Sequence, residues 1–289
     1  MDVIKIAELN VNVGNSKSDT QQRKLGMMEN ILDKENFDVC FFTECNLSDQ
    51  CLNEFINKSI FLEKYDFYCN NEIFVAILKK NENNAEEYKK NSPSMTAIDI
   101  KKNDKKMTIA GVRFLLSATN KGNYVDEYIK QIKNYLDVIH ENKFDIVIGD
   151  FNWDTAIIGR KHIEKLICEI NEAALNNVKL SSIESSIADK EIQIKRWGKG
   201  YVALENYENT FCKMMNKYEK EPNLEYDIWP RDKKMCSYVK GKSKSSPDRV
   251  IWRKVLKPKN IIYKSGGEDY NQEWPFDHQM IIAEFIIKE

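Results

Sequence analysis

The chain has 289 residues, 42% hydrophobic and 31% charged, with a formal net charge of −1. This length suits one large domain or two small ones, and the composition is that of a folded globular protein. No apolar run reaches the roughly 20 residues that a membrane-spanning helix needs. The first residues, MDVIKIAELN, lack the basic start and the cleavage site of a secretory signal. We therefore expect a cytoplasmic protein without a membrane segment.

The cysteines and histidines narrow the kinds of metal site that are compatible with the sequence. The seven cysteines are odd in number and no two have Cys-x-x-Cys spacing, which argues against a disulfide framework or a zinc cluster. Only three histidines are present, His140, His162 and His278, which argues against a histidine-rich metal centre. Carboxylate and amide oxygens remain available for a hard cation such as magnesium.

Basic charge is concentrated in the second half of the chain. The segment 190–260 has 18 Lys and Arg and 9 Asp and Glu, a net charge of +9, so the rest of the chain is acidic. Such asymmetry favours a basic surface for a polyanion. A solvated face in a lysine-rich chain explains the charge equally well, so both interpretations stay open at this point.

In chain order, the apolar pattern first predicts a strand over Val3–Val13, a helix over Thr20–Glu35 and a strand over Phe37–Glu44. The last of these is continuously apolar, as expected of a strand covered on both faces. Hairpins follow. YDFYC and EIFVAIL flank a turn at Asn70 and Asn71, and MTAIDI and MTIAGVRF flank the turn KKNDKK.

The second half of the chain continues the alternation. A helix is predicted over Val125–Ile139, a strand in DIVIG before Asp150, and a helix over His162–Leu175. The segment from about 181 to 244 is polar, basic and rich in Tyr and Trp, without steady periodicity. Two strands, DRVIWRKVL and QMIIAEFII, end the chain. Strand–helix–strand units mixed with hairpins predict an α/β sandwich with mixed sheets.

Polar residues stand at the ends of several predicted strands. On α/β scaffolds, functional groups gather at strand ends and in the adjoining loops. Carboxylates, amides and one histidine together suit a magnesium ion and a phosphate ester. Each residue alone has an ordinary structural explanation, such as a cap or a local ion pair. The residues are Asn10, Glu44, Asp150, Asn152, Asp248, Asp277 and His278.

These residues also give the chain a family resemblance. Asn10 in LNVN, Glu44 in FFTEC, GDFN, PDRVIW and FDH occur in the order seen in the endonuclease/exonuclease/phosphatase superfamily, which the chain resembles from residue 10 to 278. That group includes abasic-site endonucleases, pancreatic-type DNases, inositol-polyphosphate phosphatases, deadenylases and sphingomyelinases. The resemblance implies a four-layer α/β sandwich in which helices flank two mixed β-sheets. It implies a single domain over 1–289, with a basic substrate-facing insertion at about 181–244.

The resemblance implies a role for each matched residue. Glu44 resembles the principal metal ligand, with Asn10 close to the same ion. Asp277 resembles the acidic residue near a possible second metal position. Asp150 resembles the aspartate that orients and deprotonates the attacking water. Asn152 resembles the amide that holds this water or a phosphate oxygen.

The remaining matches concern the phosphate. His278 resembles the histidine that contacts the scissile phosphate, and Asp248 resembles the carboxylate that orients its ring. The sequence departs from the family in IAGVRFLLS, where Arg113 stands in or near the place of a histidine or, in abasic-site enzymes, a tyrosine. Arginine does not donate a proton at working pH, but it grips a phosphate with two hydrogen bonds. We predict that Arg113 clamps the substrate phosphate; a paired strand arginine is the structural alternative.

The basic stretch VKGKSKSSPDR leads directly into Asp248. Basic residues so close to the predicted site are expected to grip a polyanion. The predicted phosphate-binding residues, besides Arg113, are Lys240, Lys242, Lys244 and Arg249.

The sequence therefore predicts a hydrolase: a metal-dependent phosphodiesterase, a nuclease acting on DNA or RNA with magnesium, or with manganese. Two alternatives stay open. One is a phosphatase or phosphodiesterase for a small phosphorylated molecule, such as an inositol phosphate or a nucleotide. The other is a catalytically inactive binding module. A steep loss of affinity with salt distinguishes a nucleic-acid binder from a small-molecule enzyme.

Overall fold

The structure is a computed structural model. It describes residues 2–14, 16–57, 63–70, 72–79, 87–88, 95–102, 105–114, 134, 137–139, 141–152, 226–229, 237–240, 243–245, 247–266 and 273–287. The helices among them are α1 (Ser18–Lys34) and α2 (Asp49–Ile56). The strands are β1 (Asp2–Asn10), β2 (Val39–Thr43), β3 (Tyr65–Asn70), β4 (Ile73–Leu78), β5 (Glu87–Tyr88), β6 (Met95–Lys102), β7 (Lys105–Arg113), β8 (Ile146–Asp150), β9 (Tyr226–Trp229), β10 (Tyr238–Lys240), β11 (Ser243–Ser245), β12 (Asp248–Arg253), β13 (Lys257–Lys264) and β14 (Met280–Ile287).

Twelve of these strands form two six-stranded sheets. The first sheet has the order β13–β14–β1–β2–β4–β3, and β1 runs parallel to β2. The second has the order β5–β6–β7–β8–β12–β9, and β7 runs parallel to β8. The other neighbouring pairs are antiparallel, so both sheets are mixed. The predicted α/β sandwich with two mixed sheets is confirmed.

An apolar core fills the space between the two sheets. Ile4 and Ile6 point into it from β1, and Ile148 points into it from β8. Because side chains alternate along a strand, the next positions of the same stripes face the same space. These positions are Glu8 and then Asn10 on β1, and Asp150 at the end of β8. The polar residues of interest therefore continue the rows of side chains that build the core.

The two helices cover the outer face of the first sheet. Met27, Met28 and Ile31 of α1 and Phe55 of α2 are buried against it in a second apolar cluster. α2 begins at a capping serine, Ser48, whose side chain accepts from a backbone N–H of the first turn. None of the helices within the described residues combines the length and apolar character that crossing a membrane requires.

The predicted elements differ from the observed ones mainly at their ends. The first strand ends at Asn10 and not at Val13, although the Val11 amide still donates to the carbonyl of Thr43, the last residue of β2, and the Val13 amide donates to that of Glu44. Six elements were not predicted from the pattern: α2, β5, β9, β10, β11 and β13. The helix predicted over 125–139 lies mostly outside the described residues. The helix predicted over 162–175 lies entirely outside them.

The predicted basic insertion, 181–244, is described only in part. β9 lies inside it and pairs with β12 as an edge strand of the second sheet. β10 also lies inside it and forms a hairpin with β11. The rest of the segment lies outside the described residues.

Candidate active site

Side chains from both sheets meet at one end of the sandwich. The parallel strands β1 and β2 end there with Asn10 and Thr43, and β7 and β8 end there with Arg113 and Asp150. β12 runs antiparallel to β8, so its first residue, Asp248, lies opposite Asp150. Strand direction therefore brings together residues that are far apart in the sequence.

Asn10 links the two sheets through its amide. Its Nδ2 donates to Oε1 of Glu44 at 2.9 Å and to Oδ2 of Asp150 at 3.0 Å. The nitrogen must point toward these two carboxylates, because an oxygen there would repel both. Oδ1 is then left buried and has no hydrogen-bond partner among the described residues.

Asp150 is buried and is fixed by the residues that follow it. The backbone N–H of Asn152 donates to Oδ1 of Asp150 at 2.8 Å, and its side-chain Nδ2 lies 3.2 Å from Oδ2. Burial, followed by the charge of Asp248, raises the pKa of Asp150 to about 6, against the opposing effects of His278 and these hydrogen bonds. A carboxylate with this pKa is suited to accept a proton near neutral pH.

Two residues of the site have strained backbones. Glu44 and Asn152 both have φ 54°, in the left-handed region that residues other than glycine rarely adopt. The position of Glu44 is fixed from both sides, since the amide of Val13 donates to its carbonyl and the amide of Cys45 donates to the carbonyl of Glu72. Strain of this kind persists only where the surrounding structure enforces it, and it is concentrated at functional sites.

His278 and Asp248 form a buried pair. Nδ1 of His278 lies 3.0 Å from Oδ2 and 3.2 Å from Oδ1 of Asp248. Burial opposes a positive ring, but the charge and hydrogen bond of Asp248 outweigh it and raise the pKa of His278 to about 10. The raised pKa favours the cationic ring of His278 near neutral pH. Because Nδ1 is held by Asp248, Nε2 is the nitrogen that remains for a substrate.

Four residues that the sequence analysis did not single out hold this pair in place. The Tyr238 ring meets the His278 ring edge to face with centroids 5.0 Å apart, and Trp274 Nε1 donates to the His278 carbonyl at 2.8 Å. The buried hydroxyl of Ser237 accepts from the Asp248 amide at 3.2 Å, and the Tyr263 hydroxyl donates to the Asp248 carbonyl.

A further carboxylate, Glu8, lies deeper in the same space. It is fully buried, and Thr43 Oγ1 donates to its Oε1 at 2.7 Å, while Oε2 has no hydrogen-bond partner among the described residues. Burial, followed by the charge of Asp248, raises the pKa of Glu8 well above its ordinary value. The sequence signal that places Glu8 near the site is its spacing of two residues from Asn10, because residues two apart on a strand face the same side.

Arg113 lies at the rim between the sheets, half-buried. Its Nη1 donates to Oε2 of Glu72 at 2.7 Å, and its Nε lies 2.8 Å from Oε1 of Glu44. Burial opposes the positive charge, but Glu44 and Glu72 outweigh burial and raise the pKa of Arg113 further. Arg113 is thus an ion-paired strand arginine, which was the structural alternative to a phosphate clamp. One of its partners, Glu44, is also the residue predicted to bind a metal.

Two neighbouring groups of side chains could hold a cation. Donor atoms of Asp150, Asp248 and His278 lie within 4.8 Å of one another. Nδ1 of His278 is already hydrogen-bonded to Asp248. The same three residues can therefore also be described as a hydrogen-bonded His278–Asp248 pair beside the carboxylate of Asp150. The predicted ligands Glu44 and Asn10 offer oxygens, and the buried Oδ1 of Asn10 is an acceptor with no donor in the described part of the chain. An all-oxygen donor set of this kind fits magnesium or manganese.

The structure says less about the other predicted residues. Asp277 is half-buried, and its carbonyl accepts from the Val239 amide at 2.8 Å. Arg249 lies on β12 opposite Gly149, and alternation along the strand turns it to the face away from Asp248. Their roles stay predictions. Of the remaining three, Lys240 belongs to β10 and Lys244 to β11, with side chains that the structure does not describe, and Lys242 lies outside the described residues.

Solved structures match this fold over almost the whole chain, at low sequence identity. D. rerio TDP2 complexed with a single-strand DNA product is 12% identical, with a TM-score of 0.54, and the match covers 99% of this chain and 100% of that one. An AP endonuclease from Archaeoglobus fulgidus is 11% identical, with a TM-score of 0.52 and coverage of 98% and 100%. An endonuclease/exonuclease/phosphatase family protein from Leptotrichia buccalis is 15% identical, with a TM-score of 0.52 and coverage of 98% and 100%.

No protein-family model matches the sequence, and no curated protein matches it either. The likeness therefore rests on the course of the backbone. The chain shares the fold of these solved structures, one of which is an endonuclease/exonuclease/phosphatase family protein, and this fold agrees with the one that the order of its motifs predicts.

Proposed function

We propose that the protein is a metal-dependent phosphodiesterase that hydrolyses phosphodiester bonds of a nucleic acid. The observation that supports this most directly is the pairing of a cationic histidine with a nearby buried base. His278, with a pKa raised to about 10, and Asp150, with a pKa raised to about 6, lie within one group at the end of the sandwich. Their opposite charges near neutral pH suit an anionic substrate attacked by water.

In the proposed reaction, Asp150 accepts a proton from the attacking water. Asn10 and Asn152 hold its two oxygens, so the carboxylate keeps one orientation. His278 donates a hydrogen bond from Nε2 to a phosphate oxygen, while Asp248 fixes the ring through Nδ1. Glu44 and Asn10 would hold a divalent cation, which would supply Lewis-acid chemistry at the phosphate when bound.

Two solved structures with the same fold support a nucleic acid as the substrate. One is D. rerio TDP2 complexed with a single-strand DNA product, and the other is an AP endonuclease from Archaeoglobus fulgidus. The net charge of +9 between residues 190 and 260 agrees with a polyanionic substrate.

The proposal is tested with the purified chain, magnesium or manganese, and labelled single-stranded DNA, double-stranded DNA, RNA and small phosphoesters. We expect cleavage of a nucleic acid, with kcat lowered at least about 100-fold in Asp150→Asn and His278→Gln. Asp66→Asn is the matched control, because Asp66 lies opposite Ile77 at the other end of the first sheet. Wild-type activity in Asp150→Asn contradicts the proposed base. Turnover of small phosphoesters alone favours the phosphatase, and no turnover at all favours the binding module.

A further inference from the structure

Glu44, Glu72 and Arg113 form a charged cluster that joins the two sheets at the rim of the candidate site. Arg113 ends β7 in the second sheet. Glu44 follows β2 and Glu72 precedes β4, which are neighbouring strands of the first sheet. The amide of Cys45 donates to the carbonyl of Glu72 at 2.9 Å, so the backbones beside the two glutamates are fixed to each other. The guanidinium lies between two carboxylates whose separation is set by the sheet.

The two contacts of Arg113 differ in quality. Nη1 makes an aligned hydrogen bond to Glu72 at 2.7 Å. Nε lies 2.8 Å from Oε1 of Glu44 but makes no aligned hydrogen bond among the described residues. Aligned charge-assisted hydrogen bonds are the stronger kind, so Glu72 is the anchor and Glu44 is the contact that is broken more easily.

Oε1 of Glu44 is also the oxygen that accepts from Asn10. A cation bound by Glu44 must therefore share this carboxylate with a fixed positive charge, which opposes cation binding. A bound phosphate removes this unfavourable effect on cation binding, because its negative charge attracts both the cation and the guanidinium. Arginine keeps its charge at every working pH, so this effect does not depend on protonation.

We propose that Glu72 is a positioning residue that holds Arg113 against Glu44 and thereby makes cation binding and phosphate binding depend on each other. Without phosphate, Arg113 weakens the hold of Glu44 on the cation. With phosphate, the guanidinium gives up Glu44, stays on Glu72 and grips the anion. The proposal rests on the proposed function, since it needs a cation and a phosphate at the same site.

The test measures Mn²⁺ binding to the full chain by the loss of the free-ion EPR signal, with and without methylphosphonate. This probe has a phosphate-like anion and no ester bond to hydrolyse. We expect methylphosphonate to tighten Mn²⁺ binding about tenfold in the wild type. In Arg113→Met, Mn²⁺ alone should bind about tenfold more tightly, because the competing charge is gone. The effect of methylphosphonate should then fall to twofold or less.

The other variants separate positioning from folding. Glu72→Gln keeps the guanidinium and removes its anchor, so the methylphosphonate effect should fall there as well. Arg113→Lys restores the charge without the planar fork and should regain only part of the effect. Lys79→Met is the matched control, because it removes a cation paired with Asp66 at the far end of the sheet. Thermal unfolding of each variant verifies that it is folded.

Unchanged or weaker Mn²⁺ binding in Arg113→Met overturns the proposal, and so does an unchanged methylphosphonate effect in Glu72→Gln. If the wild type hydrolyses phosphodiesters while either of these results holds, only the proposal about Glu72 fails. If the wild type neither hydrolyses a phosphoester nor binds Mn²⁺ in a way that Glu44→Gln abolishes, the proposed function fails and this proposal fails with it.

Discussion

Asn10 donates a hydrogen bond to Asp150 across the interior of the sandwich, 3.0 Å from Nδ2 to Oδ2. The two residues end strands of different sheets and are 140 positions apart in the sequence. The same amide nitrogen also contacts Glu44 at 2.9 Å. One neutral side chain thus separates and orients two carboxylates that would otherwise repel each other.

Replacing Asn10 should disturb both carboxylates at once. In Asn10→Ala, the shared donor is lost, and we expect kcat/KM for the cleaved substrate to fall about 10- to 100-fold. In Asn10→Asp, a third carboxylate is added, and the low-pH limb of the rate profile should move to higher pH because like charge raises the pKa of Asp150. The measurement is kcat/KM against pH. Asn53→Ala, on the exposed side of α2, is the control, and an effect of equal size there would contradict the assignment.

The pH dependence of activity should be bell-shaped. In the proposed reaction Asp150 acts in its ionised form, so the rate should rise with pH up to about 6, or lower with a cation bound. In the same proposal His278 acts as a cation, so the rate should fall as pH rises toward about 10.

Asp248 raises the pKa of both Asp150 and His278, by repelling one charge and attracting the other. In Asp248→Asn, both limbs of the profile should therefore move to lower pH, together with a lower maximum rate. The measurement is kcat/KM between pH 4 and 11 at constant ionic strength. A basic limb that stays in place would show that Asp248 does not govern the charge of His278.

Glu8 should lower stability at high pH. Burial and the charge of Asp248 raise its pKa, so the folded chain binds this proton more tightly than the unfolded chain. Its contribution to stability is complete at pH values below its ordinary pKa and is lost as pH rises through the raised pKa. Glu8→Gln mimics the protonated form and keeps an acceptor for Thr43.

The Tm of Glu8→Gln should therefore match the wild type in acid and exceed it by about 2–4 °C above neutral pH. Thermal unfolding measured by circular dichroism at several pH values decides this. Glu63→Gln, an exposed glutamate, should give the same Tm as the wild type at every pH. A constant offset between Glu8→Gln and the wild type would contradict a buried titrating carboxyl.

Three glycines should respond differently to alanine. A Cβ on Gly149, which has φ +154°, would lie 1.9 Å from the Val112 carbonyl oxygen, and one on Gly111 would lie 2.1 Å from the Phe41 ring. Gly26, inside α1, has open space around it. Gly26→Ala should stabilise the protein by about 0.5–1 kcal/mol, while Gly111→Ala should destabilise it by about 1–3 kcal/mol.

Gly149→Ala should destabilise the protein most, because its clash is with the backbone of β7, which cannot rotate away. It should also lower activity, since Asp150 is the next residue. Urea unfolding of the three variants gives the comparison. Equal stability of Gly149→Ala and Gly26→Ala would show that β7 and β8 are not as close as the structure places them.

Much of the fold follows from local pattern in the sequence. The apolar run before Glu44 and the one before Asp150 predict β2 and β8 correctly, because both strands are covered on both faces. β13 escaped prediction because its sequence, KPKNIIYK, starts with lysine and proline and is mostly exposed at the edge of the first sheet.

The candidate site was predicted only as a set of residues. Their meeting at one end depends on strand directions, and the pairing of Arg113 with Glu72 depends on two strands from different sheets. Neither the strand directions nor this pairing can be predicted from the local sequence. Glu8 was missed for another reason. Its spacing from Asn10 places both on the same face of β1, but a single glutamate in a strand pattern does not indicate that the side chain is fully buried.

β1 has hydrogen-bonded neighbours on both sides, β14 and β2. The amides of such a central strand exchange with solvent only when the whole domain opens. Asn10 is the last residue of this strand, so we expect no separate melting transition for the part of the site that it organises. Catalytic competence and global folding should then be lost in a single cooperative event, and heat inactivation should report on unfolding itself.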